Sequence, residues 1–294
     1  EPYETQTVET LLKCVAVASA NDAAVALAEH ISGSEGDFVK KMNQKAAELG
    51  MKNTHFVNCN GLDTEGHLTT ARDIALMSRE LITKYPQIEN YSTIWMENIT
   101  HHTRKGDSEF GLTNTNKLIK AYPGCNGIKT GFTSDAGFCL SASAVRGDTH
   151  LIAVVLGCET SKIRNAQVAK LFDYGFANFE AATVAEKGQK MAQMEVSKGT
   201  PQQLDVVTLQ KITALAPKGK TDSVTTRIEL KDQVKLPLKK GSTVGSMIVL
   251  KDGKEIGKYK LVSDKKIEKA SFKELVCRMF TYQGDKKVKE SKKA

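Results

Sequence analysis

Apolar positions recur at helical spacing through the first part of the chain. Leu11–Ala18 and Asp22–Ile31 are Ala-rich apolar stretches separated by the polar Ser19-Ala20-Asn21, which predicts two short helices meeting at a tight corner. Phe38–Leu49 follows as an amphipathic helix, with Asp37 expected as N-cap and Gly50 as C-cap. A loop rich in Asn and Gly runs from Asn53 to His67. Thr70 then caps a helix over Ala71–Lys84, with Asp73 in its first turn on the favourable end of the dipole. Gly127–Thr133, Phe138–Val145 and Thr149–Gly157 predict three strands, the last two joined by the turn at Arg146-Gly147-Asp148 and therefore antiparallel. A helix over Lys162–Asn178 closes this part, with Ile163, Val168, Leu171, Phe172 and Phe176 as its apolar positions.

Near residue 180 the pattern changes to Val/Thr/Lys alternation broken by Gly and Pro. Ala192–Val196, Val206–Leu209, Val224–Leu230, Val244–Leu250 and Glu255–Val262 read as short strands, and no repeat at solenoid or propeller spacing is present. The expected layout is α+β over residues 1–180, a small β-rich domain over 181–266 and a basic amphipathic tail over 267–294.

Composition narrows the classes without choosing one. Of 294 residues, 40% are hydrophobic and 26% charged, which excludes wholesale disorder and a collagen-like or disulfide-scaffold chain. No run approaches the ~18 apolar residues that span a bilayer. The formal net charge of +8 is uneven: residues 1–179 carry −3 and residues 180–294 carry +11, so an anionic partner is expected at the basic end. Six dispersed cysteines, without a Cys-x-x-Cys pair or a His at ligand spacing, predict no metal and no cofactor, and fit buried small apolar residues better than disulfides. The chain opens at Glu1 with neither Met nor a signal segment, and the expectation is that an upstream segment is missing.

Two short motifs carry the chemistry. Ser19-Ala20-Asn21 sits on the helix corner, and Asn126-Gly127-Ile128-Lys129-Thr130-Gly131 opens a strand about a hundred residues later. Alone, a Ser or Asn at a helix start is a cap and Lys-Thr-Gly a frequent chance match. In this order they correspond to the second and third elements of the penicillin-interacting serine enzymes, Ser-x-Asn and Lys-Thr-Gly. The flanks agree as well: Ser19–Glu29, Leu49-Gly50-Met51-Lys52-Asn53-Thr54-His55-Phe56, Gly61-Leu62, Thr70-Ala71-Arg72-Asp73 and Asn126–Thr133. From residue 7 to about 180 the chain resembles the D-alanyl-D-alanine carboxypeptidases, the low-molecular-mass penicillin-binding proteins, and its tail resembles theirs more weakly.

That resemblance implies a penicillin-binding-protein/β-lactamase-like transpeptidase domain, an antiparallel sheet with helices, incomplete at its N-terminus. It implies a proton relay through Ser19 to the leaving D-alanine nitrogen, and an Asn21 amide that holds the acyl side chain. Lys129 and Thr130 would receive the terminal carboxylate. Gly131 would let the substrate backbone approach, the Phe132 N–H would serve the oxyanion hole, and Thr133 completes the binding strand. Phe132 departs from relatives that carry His there.

The first element, Ser-x-x-Lys, is missing from residues 1–180. Its one occurrence is Ser263-Asp264-Lys265-Lys266, expected to be a solvated surface turn. The chain as written is therefore expected to be inactive. His55, His67 and the His101-His102 pair are expected in turns, a hairpin or exposed loops, and no Glu context suggests a lactamase-type deacylation base. Phe272, Leu275, Val276, Met279 and Phe280 fall at helical spacing among lysines, and residues 265–294 carry a net +6. The resemblance makes this an anchor on an anionic membrane surface at the outer face of the cytoplasmic membrane. A helix docked on its own β domain competes with that reading, and nucleic acid is not expected. The implied partners are a peptidoglycan stem peptide ending in D-Ala-D-Ala and, for the intact enzyme, β-lactams. The alternatives are a non-catalytic wall- or membrane-binding module and, third, a β-lactamase-like hydrolase.

Overall fold

The computed structural model of the protein describes residues 4–220 and 223–279. It divides between Asn178 and Phe179 into two compact units.

The first unit opens with α1 (Val8–Lys13), which runs into a π-helical turn over Cys14–Ala18, and α2 (Asn21–Ser32) leaves at the corner between them. Ser19 makes that corner in a left-handed conformation, φ 61°, unusual for a residue with a Cβ. Next comes α3 (Glu35–Glu48). Its N-cap is Ser34, not the expected Asp37: Ser34 Oγ accepts from the Asp37 N–H and donates to Asp37 Oδ2. Gly50 ends this helix at φ 73°, with its own N–H on Ala47 O and that of Met51 on Ala46 O. Thr70 caps α4 (Ala71–Lys84) through the Asp73 N–H. The buried Asp73 carboxylate accepts from Asn53 N and Thr54 Oγ1, tying the long loop back to the helix.

A short α5 (Glu89–Ser92) leads to a hairpin of β1 (Met96–Thr103) and β2 (Gly106–Thr113), which carries His101 and His102. After α6 (Leu118–Ala121), β3 (Cys125–Thr133), β4 (Gly137–Arg146) and β5 (Thr149–Cys158) form an antiparallel sheet in that order, with β3 at its edge. One face of β4 and β5 offers Leu140, Ala142, Ala144 and Ala153 to Val168, Phe172 and Phe176 of α7 (Ser161–Asn178). On the other face Ser141 meets Ser78 of α4, hydroxyl to hydroxyl at 2.7 Å. The apolar stripe of α7 differs from expectation. Ile163 and Leu171 face solvent, and the buried set is Arg164, Val168, Phe172 and Phe176, so a cation takes the first place in a four-residue repeat.

The second unit is mostly β. β6 (Phe179–Ala185) pairs with β10 (Ile212–Pro217), and β8 (Gly199–Thr200) with β14 (Glu268–Lys269). The main sheet has the order β11-β12-β13-β9-β7, from Val224–Leu230, Thr243–Lys251, Lys254–Ser263, Gln203–Thr208 and Lys190–Glu195 respectively. Leu204, Val206, Ile212, Val244, Met247, Leu261 and Ile267 form its core. Ser263 corrects the surface-turn expectation. It is buried at the end of β13, and its hydroxyl donates to Lys265 O at 2.5 Å.

Ser271 starts a helix over 272–279: its N–H donates to Glu274 Oε2, and the Glu274 N–H donates back to Ser271 Oγ. Arg278 pins that helix to the turn before β8 by donating to Ser197 O and Gly199 O, while Phe272 and Met279 stay exposed at 84% and 69%. Phe280 and the rest of the predicted tail lie outside the described residues. Of the cysteines, Cys14 and Cys125 are buried and Cys277 is exposed; among the described residues no helix is long and apolar enough to cross a membrane.

Candidate active site

The two motifs are far apart in sequence, and one residue that pattern reading passes over joins them. Thr115 lies between β2 and α6. Its N–H donates to Val17 O at 3.3 Å, two residues before Ser19, and its hydroxyl lies 2.5 Å from the Thr130 hydroxyl. The Ser19-Ala20-Asn21 corner and the Lys129-Thr130-Gly131 strand are thereby held on either side of one threonine. Ser19 and Asn21 are both exposed, and Thr130 is buried.

A network of neutral amides fixes Thr115. Asn114 Nδ2 donates to Ser92 O and Ile94 O, and Asn114 Oδ1 accepts the Asn116 N–H. Asn116 Nδ2 in turn donates to Gly127 O, and Ser92 Oγ donates to Asn126 O at 2.7 Å. Asn114 and Asn116 are buried, so each of these bonds replaces a lost hydration and would be costly to break. Gly127 is needed here: a Cβ on it would lie 2.8 Å from Ser92 Oγ, and its φ is 153°.

Lys129 supplies the charge. Its ammonium donates to Thr130 O at 3.0 Å. Burial, with the Arg164 guanidinium nearby as a second cause, lowers its pKa to about 8. Arg164 is itself buried, donating from Nε to Asn165 Oδ1, and its guanidinium carbon lies 5.9 Å from the Phe138 ring centroid. Among the described residues neither cation makes an ion pair with a carboxylate. Two neighbouring, partly desolvated cations without a counter-charge make a site that gains energy by taking up an anion.

Beyond Lys129 the strand is open. A Cβ on Gly131 would meet only Cys139 Cβ at 3.7 Å, an ordinary contact, so the fold tolerates a side chain there and the free space is available to a ligand. Phe132 is 60% exposed and rests on its register partner Phe138, ring centroids 4.3 Å apart. Thr133 Oγ1 accepts the Ala136 N–H and shapes the turn into β4. Because β3 is an edge strand, an extended peptide can lie alongside it. His55 and His67 belong to the loop before α4, where His67 Nδ1 accepts from Val57 N; His101 and His102 pair with Glu4 and Asp107 in the hairpin region. Among the described residues no cluster of ligating side chains could hold a metal ion.

An edge strand carrying Lys-Thr-Gly and a Ser-x-Asn corner on a helix start resemble the penicillin-interacting serine peptidases, and the chain as a whole is similar to proteins of that class. Residues 1–160 match the family described as D-alanyl-D-alanine carboxypeptidase, and residues 179–269 match the penicillin-binding protein 5 C-terminal domain. The chain belongs to the D-alanyl-D-alanine carboxypeptidase family. It is 43% identical over 273 residues to the D-alanyl-D-alanine carboxypeptidase DacF of Bacillus subtilis, covering 92% of this chain and 69% of that protein. Among solved structures, penicillin-binding protein 5 from Haemophilus influenzae superposes with a TM-score of 0.64 at 34% identity, over 90% of this chain and 75% of the other. Penicillin-binding protein D2 from Listeria monocytogenes, in its ampicillin-bound form, gives 0.51 at 36% identity over 58% and 68%. The chain spans 63% to 69% of the length of the first curated relatives it matches.

Proposed function

We propose that the chain holds the substrate-binding and proton-relay machinery of a serine-type D-Ala-D-Ala carboxypeptidase, which trims the terminal D-alanine from peptidoglycan stem pentapeptides. The observation that carries this reading is the Thr115 bridge, which links the Ser-x-Asn corner to the Lys-Thr-Gly strand. In it, the terminal carboxylate sits against Lys129 and Arg164, with Thr130 as hydroxyl donor. The Asn21 amide orients the acyl side, and the Phe132 N–H faces the carbonyl oxygen as its negative charge develops. A serine hydroxyl adds to the carbonyl, the C–N bond breaks, and the D-alanine nitrogen takes its proton through Ser19. Water then hydrolyses the ester. The same strand would accept β-lactams, as the ampicillin-bound relative does.

The nucleophile is the part this sequence does not supply at the site. Its one Ser-x-x-Lys is at Ser263, in the second unit, where the hydroxyl is committed to Lys265 O. The 294 residues by themselves are therefore expected to bind without acylating. Fluorescent-penicillin labelling and D-alanine release test both halves of the reading. No label is expected on the chain alone. Fusion of a Ser-x-x-Lys segment from a relative should give labelling that Lys129→Ala suppresses. Label on the unmodified chain overturns the inactivity, and an inert fusion overturns the enzyme reading.

The substrate implies an extracytoplasmic location at the outer face of the cytoplasmic membrane. The +6 of residues 265–294 and the exposed Phe272 and Met279 support contact with anionic lipid, for which vesicle binding is the test.

A further inference from the structure

An aromatic pair shares a face of β3 with Thr130, and the proposed reaction gives its side chains no task. Phe132 follows Gly131 directly, on the strand that carries Lys129, and remains 60% exposed. A large apolar side chain on a strand edge gains nothing from water, and its orientation is not left free: Phe138 supports it at 4.3 Å with the rings tilted by 36°. The Arg164 guanidinium lies 5.9 Å from the far member of the pair. Arg164 thus sets a cation against the aromatic pair, over the Phe138 ring. An anion held by Arg164 and the Thr130 hydroxyl therefore has an apolar wall beside it, whereas Lys129, opposite Ser141, alternates to the other face of the strand. The register puts Thr130 and Phe132 opposite Leu140 and Phe138, two positions apart on one strand and so on one face of the sheet.

We propose that Phe132, braced by Phe138, is a specificity-determining residue: it forms an apolar platform for the side chain of the residue whose carboxylate Thr130 and Arg164 hold. This rests on the reading of Thr130 and Arg164 as part of the terminal-carboxylate site. A methyl group covers little of a phenyl face, whereas a branched aliphatic side chain covers much of it. The site is therefore suited to peptides ending in an apolar D-residue larger than alanine, with D-alanine as a smaller ligand of the same wall.

Binding of two unreactive peptides, N-acetyl-D-Ala-D-Ala and N-acetyl-D-Ala-D-Leu, tests this without a nucleophile, by NMR titration of the full 294-residue chain followed at the Gly131 and Phe132 amides. The D-Leu peptide is expected to bind at least about threefold tighter, the effect of burying part of a leucine side chain. Phe132→Ala should bring the ratio of the two affinities to about one, and Phe132→Tyr, which keeps the ring on Phe138, should preserve it. A ratio near one in the unaltered chain, or a preference that survives Phe132→Ala, overturns the proposal while leaving the carboxylate site intact. If neither peptide moves the Gly131 amide, the carboxylate-site reading fails and the platform fails with it.

Discussion

Lysine means different things in the two units. The first unit is faintly acidic over its length, yet it buries Lys129 beside Arg164 and lowers the ammonium's pKa to about 8. The second is strongly basic, and its lysines stand on the surface, as Lys258 does beside Glu229 at 3.0 Å and Lys190 beside Asp205. Exposed pairs of that kind contribute little to stability and are screened by salt. A desolvated cation without a counter-charge is unfavourable in the empty protein and becomes favourable when an anion arrives. The count of charges locates the basic unit, while burial singles out Lys129 and Arg164.

The largest expected effect follows from that contrast. Lys129→Met removes the cation and keeps most of the volume. Peptide binding should fall by more than about a hundredfold, the loss of a charge-assisted contact to a carboxylate. Stability should move the other way, rising at pH 7 on the order of 2 kcal/mol, since the shift from 10.5 to about 8 measures the cost of keeping the charge. The folded state releases its proton at lower pH than the unfolded state. The unaltered protein should therefore gain stability as pH rises from about 8 towards 10.5, and the advantage of the variant should vanish above that window. Urea melts of both proteins across pH 6–11 check this, and parallel curves would mean that Lys129 carries no such penalty.

Much of the fold can be read from local pattern because local rules govern it: the corner at Ser19, the Thr70 cap, the Gly50 stop and the three strands all follow from residues within a few positions of one another. The site is less legible. Lys129 announces itself by motif, but Arg164 stands in a helix whose periodicity suggests Ile163 and Leu171 for the core. Only the sheet underneath decides that the stripe runs 164, 168, 172, 176, and the signal available was that spacing of four, which treats a cation as polar and passes over it. Thr115 sits in Thr113-Asn114-Thr115-Asn116, a run that reads as loop; its partners Val17 and Thr130 are far along the chain, and no periodicity encodes them. Ser34 took the cap from Asp37 for the opposite reason, since both fit and the geometry needed is three residues long.

Thr115 gives the next test. Thr115→Val keeps the shape and deletes the hydroxyl that meets Thr130, leaving the backbone bond to Val17 in place. The expected cost is about 1 kcal/mol of stability, with a several-fold loss of peptide affinity because the Thr130 hydroxyl is no longer held. The pH dependence of binding should not move, since burial and Arg164 set the charge of Lys129. A changed pH midpoint would show that Thr115 acts on Lys129 and not through Thr130. An unchanged affinity would remove it from the site.

The smallest effect belongs to the basic unit and sharpens the comparison by salt. Peptide binding as proposed sets one carboxylate against two buried or partly buried cations and should weaken only modestly between 50 and 500 mM NaCl. If the net +6 of residues 265–294 meets a membrane by its charge, pelleting with phosphatidylglycerol vesicles should be detectable at 50 mM and lost at 500 mM, and should be absent with phosphatidylcholine alone. Phe272→Ser should weaken it further, since that side chain is 84% exposed at the start of the helix and has no packing in the second unit to lose. The docked alternative predicts otherwise. Arg278 already ties the helix to Ser197 O and Gly199 O, and if that is its whole purpose, vesicles of either composition will leave the chain in the supernatant at every salt concentration.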